Sequence, residues 1–117
     1  MSRHDDAVRL RHLLEAARKA VALAAGKARV DIEADEVVQL ALARLLEIVG
    51  EAAGKVTPAY RDAHSEIPWA AMGGLRNRLA HAYFDVDLGV LLDIVANDLP
   101  ALVRQVEALL PGDDTPR

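Results

Sequence analysis

Apolar residues recur at three- and four-residue steps along most of the chain, the spacing that lines one face of an α-helix. It predicts a first helix over residues 5–25 and a second over 33–53, with Gly26 and Gly54 as stop signals. The apolar positions are Leu10, Leu13, Leu14, Ala17, Val21 and Ala24 in the first helix, and Val38, Ala41, Leu42, Leu45, Ile48, Val49 and Ala52 in the second.

Prolines mark two further helix starts after residue 54. Thr57-Pro58 combines an N-cap residue with a proline at the first helical position, and it predicts a short helix over Pro58–Ala63. Pro68 opens another predicted helix, which runs to about His81.

The last long helix is predicted from an acidic start and a continuous apolar stripe. Asp85 and Asp87 supply N-cap chemistry, and Pro100 inside the stripe predicts a kink or break near residues 96–99. The stripe comprises Leu88, Leu91, Leu92, Val95, Leu99, Leu102, Val103, Val106 and Leu109.

The sum of these patterns predicts an all-α fold. We see neither strand alternation nor an internal repeat, so we expect an antiparallel bundle of four main helices plus a short helix. A chain of 117 residues favours one domain, over 1–110, followed by a disordered tail over 111–117. The apolar stripes on the first and last helices are wide, and we expect part of that surface to serve a dimer interface.

Composition narrows the classes of function. The absence of cysteine excludes disulfides, a catalytic thiol and thiolate metal sites. No apolar run reaches the roughly 18–20 residues of a membrane span, and the charged N-terminus lacks a secretory signal, so we expect a soluble cytoplasmic protein. A net charge of −4 leaves any contact with nucleic acid to a local basic patch.

Polar side chains with chemical potential gather in LRNRLAHAYFDVD, residues 75–87. On a helix, Asn77 and His81 share a face, so Asn77 could hydrogen-bond the imidazole and fix its tautomer. Arg76 and Tyr83, two turns apart, share another face. Arg76 and His81 are about 140° apart around an ideal helix. They can converge if His81 lies at a frayed helix end, or if a second copy of the chain faces the first.

Histidine and arginine together are the minimum set of side chains for RNA cleavage without a metal. The imidazole can take a proton from the 2′-OH, and the guanidinium can stabilise charge on the phosphate. The structural alternatives stay open at this point: Arg78 as solvent-facing charge, Asn77 as a helix-internal polar residue, and Tyr83 as a core aromatic. No spacing among the histidines and carboxylates suggests a metal site, and no cofactor is expected.

The cluster is part of a wider pattern. Arg76-Asn77-x-x-x-His81-x-Tyr83 resembles the RX4HXY motif of the HepT-like toxins in the HEPN superfamily. Residues 45–56, LLEIVGEAAGKV, resemble the second-helix motif of that family, and residues 93–109 resemble its closing helix with an internal proline. The similarity extends from about Asp31 to Leu109, with several spaced motifs in the same order.

This resemblance implies an HEPN-like ribonuclease that acts as a homodimer, with the paired motifs lining a cleft at the interface. Arg76 and His81 would be the catalytic pair, supported by Asn77. Glu51 would either pair with Arg76 or serve the packing of two helices, and Arg78 is a possible RNA contact.

The resemblance also implies a partner and a form of control. The usual partner in the family is a small MntA-like nucleotidyltransferase antitoxin, which can transfer AMP to the motif tyrosine, here Tyr83. The expected system is a type VII-like toxin–antitoxin pair. The alternatives are a non-catalytic HEPN module that binds nucleotide or RNA beside a nucleotidyltransferase, and a structural bundle with an incidental cluster.

Overall fold

A computed structural model describes residues 3–82 and 85–110, without the side chains of residues 3, 4, 76, 80–82, 85 and 86. The predicted tail and Tyr83 lie outside this description. The helices in chain order are α1 (Arg3–Ala24), α2 (Arg29–Glu33), α3 (Glu36–Gly54), α4 (Pro58–Ala63), α5 (Trp69–Gly73), α6 (Leu75–Leu79), α7 (Leu88–Asp93), a π-helical segment (Ile94–Asp98) and α8 (Leu99–Leu109). Two short strands, β1 (Ala80–Ala82) and β2 (Asp85–Val86), lie between α6 and α7.

The core lies where α1 packs along α3 and α8. It is built from aliphatic side chains, as the composition predicted, because the chain offers few aromatic ones. The largest fully buried side chains are Leu10, Leu13, Leu14, Leu42, Leu46, Ile67, Leu91, Ile94, Leu99, Val49, Val56 and Val106. The predicted all-α class is confirmed, and in the described ranges no helix is long and apolar enough to cross a membrane.

The first two long helices follow the prediction with shifted ends. The stop at Gly26 is confirmed, since α1 ends two residues before it and its φ of 76° lies in the left-handed region that favours glycine. The second long helix begins at Glu36 rather than residue 33, because Asp35 caps it through a bond from the Val38 N–H at 3.1 Å. The unpredicted α2 precedes this cap, and Lys55 takes the C-cap position expected for Gly54.

Of the two acidic residues expected to start the last helix, only Asp87 is its N-cap, and its carboxylate accepts from the Val90 N–H at 3.1 Å. The prediction for Asp85 was wrong, because this residue pairs in β2. The irregularity expected before Pro100 is the π-helical segment, in which the Leu99 N–H donates to the Ile94 carbonyl five residues back. Proline lacks the N–H that would continue the normal four-residue pattern.

The helix expected over residues 68–81 is broken and shorter. It divides at Gly74 into α5 and α6, and α6 ends at Leu79. The Leu79 carbonyl accepts from the Asp87 N–H at 2.7 Å, so it is taken by the returning chain and not by the next helical turn. Beyond it, β1 and β2 pair antiparallel, with Ala80 opposite Val86 and Ala82 opposite Asp85. No alternation of apolar and polar residues predicts this short strand pair.

A buried carboxylate ties the start of α1 to the start of α4. Asp6 is 3% exposed, and its two oxygens accept from the Thr57 N–H at 2.9 Å and the Thr57 hydroxyl at 2.7 Å. Thr57 in turn caps α4, as predicted, by accepting from the Tyr60 N–H at 3.3 Å. Burial, together with the carboxylates of Asp6 and Glu66, raises the pKa of the Tyr60 hydroxyl above its usual value of 10.0.

We predict that Asp6→Ala destabilises the fold by about 2–4 kcal/mol, because it removes two hydrogen bonds and leaves the Thr57 N–H without its acceptor. Asp62→Ala, on the exposed side of α4, is the control and should stay within about 0.5 kcal/mol. Urea titration of both variants measures the difference. Equal stability of the two would show that the Asp6 contact contributes nothing net.

Candidate active site

The motif segment lies on α6, a helix of five residues held by two apolar side chains. Leu75 and Leu79 are each 3% exposed and face the core, as their four-residue spacing requires. Asn77 and Arg78 are exposed on the same helix. Positions 76 and 78 are about 200° apart around an ideal helix, so they flank the buried face on opposite sides.

On one flank, Arg78 lies beside the π-helical segment. Its guanidinium is 3.9 Å from the Asp98 carboxylate, and both side chains are about half exposed. The two residues border a groove of about 410 Å³, whose floor includes the buried side chains of Met72, Leu75 and Leu102. An exposed ion pair of this length holds Arg78 weakly, so the side chain can exchange Asp98 for another anion. Its role as an RNA contact stays a prediction.

The third helix runs against α5 and α6. Glu51, near its end, is exposed and accepts from Arg44 at 3.2 Å, while Glu47 accepts from the same guanidinium at 3.3 Å. The three side chains border a cavity of about 200 Å³, which is closed by Gly50 and Gly73. Sequence reasoning singled out Glu51 and missed Arg44, although their seven-residue spacing, two helical turns, was a usable signal.

The structure brings the backbone of the predicted catalytic residues to one short segment. Position 76 lies in α6 and position 81 in β1, on either side of the point where the helix ends. The sequence allowed the two side chains to converge if His81 lies at a frayed helix end, whereas position 81 lies two residues past that end, in β1. The prediction that Asn77 and His81 share a helix face was wrong, because the helix ends at Leu79 and position 81 lies in β1. The side chains of Arg76 and His81 are outside the described part, so their pairing, and any support from Asn77, remain predictions.

Other candidate residues lie away from this segment. His64 stacks on Tyr60, with ring centroids 4.3 Å apart, and its carbonyl accepts from the Trp69 indole N–H at 2.9 Å. These contacts give His64 a part in holding the loop between α4 and α5. Within the residues described, no group of three or more histidine, cysteine or acidic side chains is arranged to hold a metal ion.

The fold is an all-α bundle, and the Arg-x4-His spacing of the sequence runs across the end of the short helix α6. The sequence profile described as "Ribonuclease HepT-like" matches residues 13–109. The chain therefore belongs to the HepT-like ribonuclease family of the HEPN superfamily, and its enzyme class is RNA endonuclease.

Individual relatives agree with this assignment. A protein of Thermococcus cleftensis named as a probable ribonuclease HepT is 42% identical over 79 residues, covering 68% of this chain and 72% of its own. Candidate RNases of Caldanaerobacter subterraneus and Methanocaldococcus jannaschii are 32% and 33% identical, over 86% and 92% of this chain and 90% and 98% of their own lengths. No solved structure matches the chain at a significant level.

We predict that substitutions at a buried and at an exposed position of α6 have different effects, the first on folding stability and the second on RNA cleavage. Leu79→Ala should cost about 2–5 kcal/mol of folding free energy, because it opens a cavity in the core. Asn77→Ala, at an exposed position, should stay within about 0.5 kcal/mol and lower RNA cleavage instead. Thermal unfolding and a cleavage assay on both variants test this. A stable Asn77→Ala variant with full activity would remove Asn77 from the site.

Proposed function

We propose that the protein is a metal-independent endoribonuclease toxin of a type VII-like toxin–antitoxin pair. The observation that carries the proposal is the Arg-x4-His-x-Tyr motif, which starts on α6 inside the region that matches the ribonuclease family. A pure binding module needs the arginine to contact phosphate, but it has no use for a histidine at this spacing.

In the proposed reaction His81 acts as the general base on the ribose 2′-OH. The deprotonated oxygen attacks the adjacent phosphorus, the bond to the 5′ oxygen breaks, and the leaving oxygen takes a proton back. The products are a 2′,3′-cyclic phosphate and a free 5′-OH. Arg76 stabilises the additional negative charge on the phosphate oxygens as the new bond forms. DNA lacks the 2′-OH, so the site would act on RNA alone.

The proposed active form is a homodimer with the motifs at the interface. Two copies supply the second route by which Arg76 and His81 can converge, since each motif can meet the other across the two-fold axis. The structure leaves apolar surface available for such a contact: Val30 on α2 is 65% exposed, and Val37 and Leu40 on α3 are 75% and 63% exposed. The sequence predicts part of this surface on the first and last helices; their stripes lie largely in the core, with some residues partly buried, and a contact there stays a prediction.

The proposed antitoxin is an MntA-like nucleotidyltransferase that transfers AMP to Tyr83. The family resemblance of the motif supports this part of the proposal, since Tyr83 is seven residues from Arg76. A nucleotide on Tyr83 would place negative charge and bulk beside the arginine that is to bind the RNA phosphate. Modified protein should therefore lose activity without unfolding.

The first test is cleavage of total RNA and tRNA by the purified protein in EDTA, beside His81→Ala. We expect wild-type cleavage to persist without metal and the variant to lose about a hundredfold or more in rate, the usual contribution of a general base. The intact mass of each sample shows whether Tyr83 already carries a nucleotide. If unmodified, folded wild-type protein cuts none of these RNAs, the protein is the alternative, a binding module that partners a nucleotidyltransferase.

The second test asks whether one site is built from two chains. The Arg76→Ala and His81→Ala variants are each expected to be inactive alone. If each site is built from two chains, a mixed dimer of the two variants pairs the Arg76 of one chain with the His81 of the other. Random mixing would restore up to about a quarter of wild-type activity, because half of the dimers carry one intact site of two. Subunits of Arg76→Ala mixed with wild type provide the control. No recovery in the exchanged mixture would place both residues of a site in one chain.

A further inference from the structure

At Gly50, α3 lies close against the backbone of α5, the helix that precedes the motif segment on α6. A Cβ built at this position would lie 2.9 Å from the Met72 carbonyl oxygen and 3.7 Å from the Leu75 Cβ. The first distance is shorter than real Cβ contacts allow, whereas the second is an ordinary contact. Any side chain at position 50 therefore has to displace its neighbour.

The Met72 carbonyl oxygen cannot move without the rest of the backbone. The contact atom is a main-chain carbonyl, so it moves only if the α5 backbone moves. Met72 and Leu75 are 4% and 3% exposed, and both are locked into the core on the same side. Gly74 joins α5 to α6 by two hydrogen bonds, each of 3.0 Å. The Gly74 N–H donates to the Ala70 carbonyl of α5, and the Gly74 carbonyl accepts from the Arg78 N–H of α6. A shift at Met72 is thereby passed to α6.

We infer that Gly50 is a positioning residue for the proposed nuclease: the missing Cβ lets α5 and α6 lie close against α3 and so sets where position 76 is held. The inference rests on the proposed function for its link to catalysis, but its structural part does not. It also gives the IVGEA motif of α3 a role at the site besides that of Glu51.

The test is Gly50→Ala, with Gly54→Ala as its matched control. Both glycines are in α3, with Gly54 as its last residue, and a Cβ at position 54 meets nothing within 4 Å. We expect Gly50→Ala to lower kcat by about tenfold to a hundredfold, the effect of a displacement below or near 1 Å, with KM changed by less than about threefold. Gly54→Ala should match wild type in both constants.

Two measurements separate positioning from simple loss of folded protein. Assays are run well below the unfolding transition of each variant, so that the folded fraction is equal. Hydrogen–deuterium exchange over residues 68–80 then reports the seating of the segment without reference to activity, and it should be faster in Gly50→Ala than in Gly54→Ala. Equal exchange and equal kcat in the two variants would overturn the inference.

The remaining outcomes are also decisive. If the wild type cuts no RNA, the proposed nuclease fails, and the exchange rates alone decide whether Gly50 seats the segment. If Gly50→Ala does not fold, the double variant Gly50→Ala/Gly54→Ala is measured in its place, because the second alanine restricts the unfolded chain and so favours folding. If that variant is unfolded as well, Gly50 is needed for the fold itself, and the positioning role is refuted.

Discussion

The buried face of α3 is the surface on which the rest of the molecule depends. Leu42, Leu46 and Val49 are fully buried on it, with α1 packed along one side and the α5–α6 segment along the other. Each such side chain contributes roughly 1.5–3 kcal/mol by leaving water, so this face supplies much of the cohesion of the bundle. Anything that changes how closely α5 and α6 approach α3 acts on the core and on the motif together.

This dependence is strong because α6 is too short to be a helix by itself. Five residues cannot recover the cost of nucleating a helical turn, so tertiary contacts must hold the segment in place. The buried side chains of Leu75 and Leu79 hold the segment against the core, and backbone hydrogen bonds to Gly74 and Asp87 mark its two ends. Asp87 serves twice, since its N–H closes the segment at the Leu79 carbonyl and its carboxylate caps α7. The motif segment thus begins on a short element whose geometry is imposed from outside, and Asn77 and Arg78 on this element are exposed.

Local chemistry explains which predictions held. Thr57 and Asp87 cap helices where the sequence placed them, because a side-chain oxygen satisfies an N–H two or three residues on whatever the surroundings. Pro100 forces an irregular turn because it lacks a donor, wherever the helix packs. The order of the motifs likewise identified the family, which the match over residues 13–109 confirms.

By itself, then, the sequence determined the all-α class, the helix starts that are capped locally, the family and the residues expected to do the chemistry. Only the tertiary structure decided that the motif helix ends at Leu79 and that Gly50 lies close to the Met72 backbone. The physical reason is the same in each case. These contacts join residues from different turns or different helices, and their energies depend on distances that helical periodicity does not encode. The break at Leu79 shows this most directly, because its carbonyl is taken by a residue eight positions further on, after the chain has turned back.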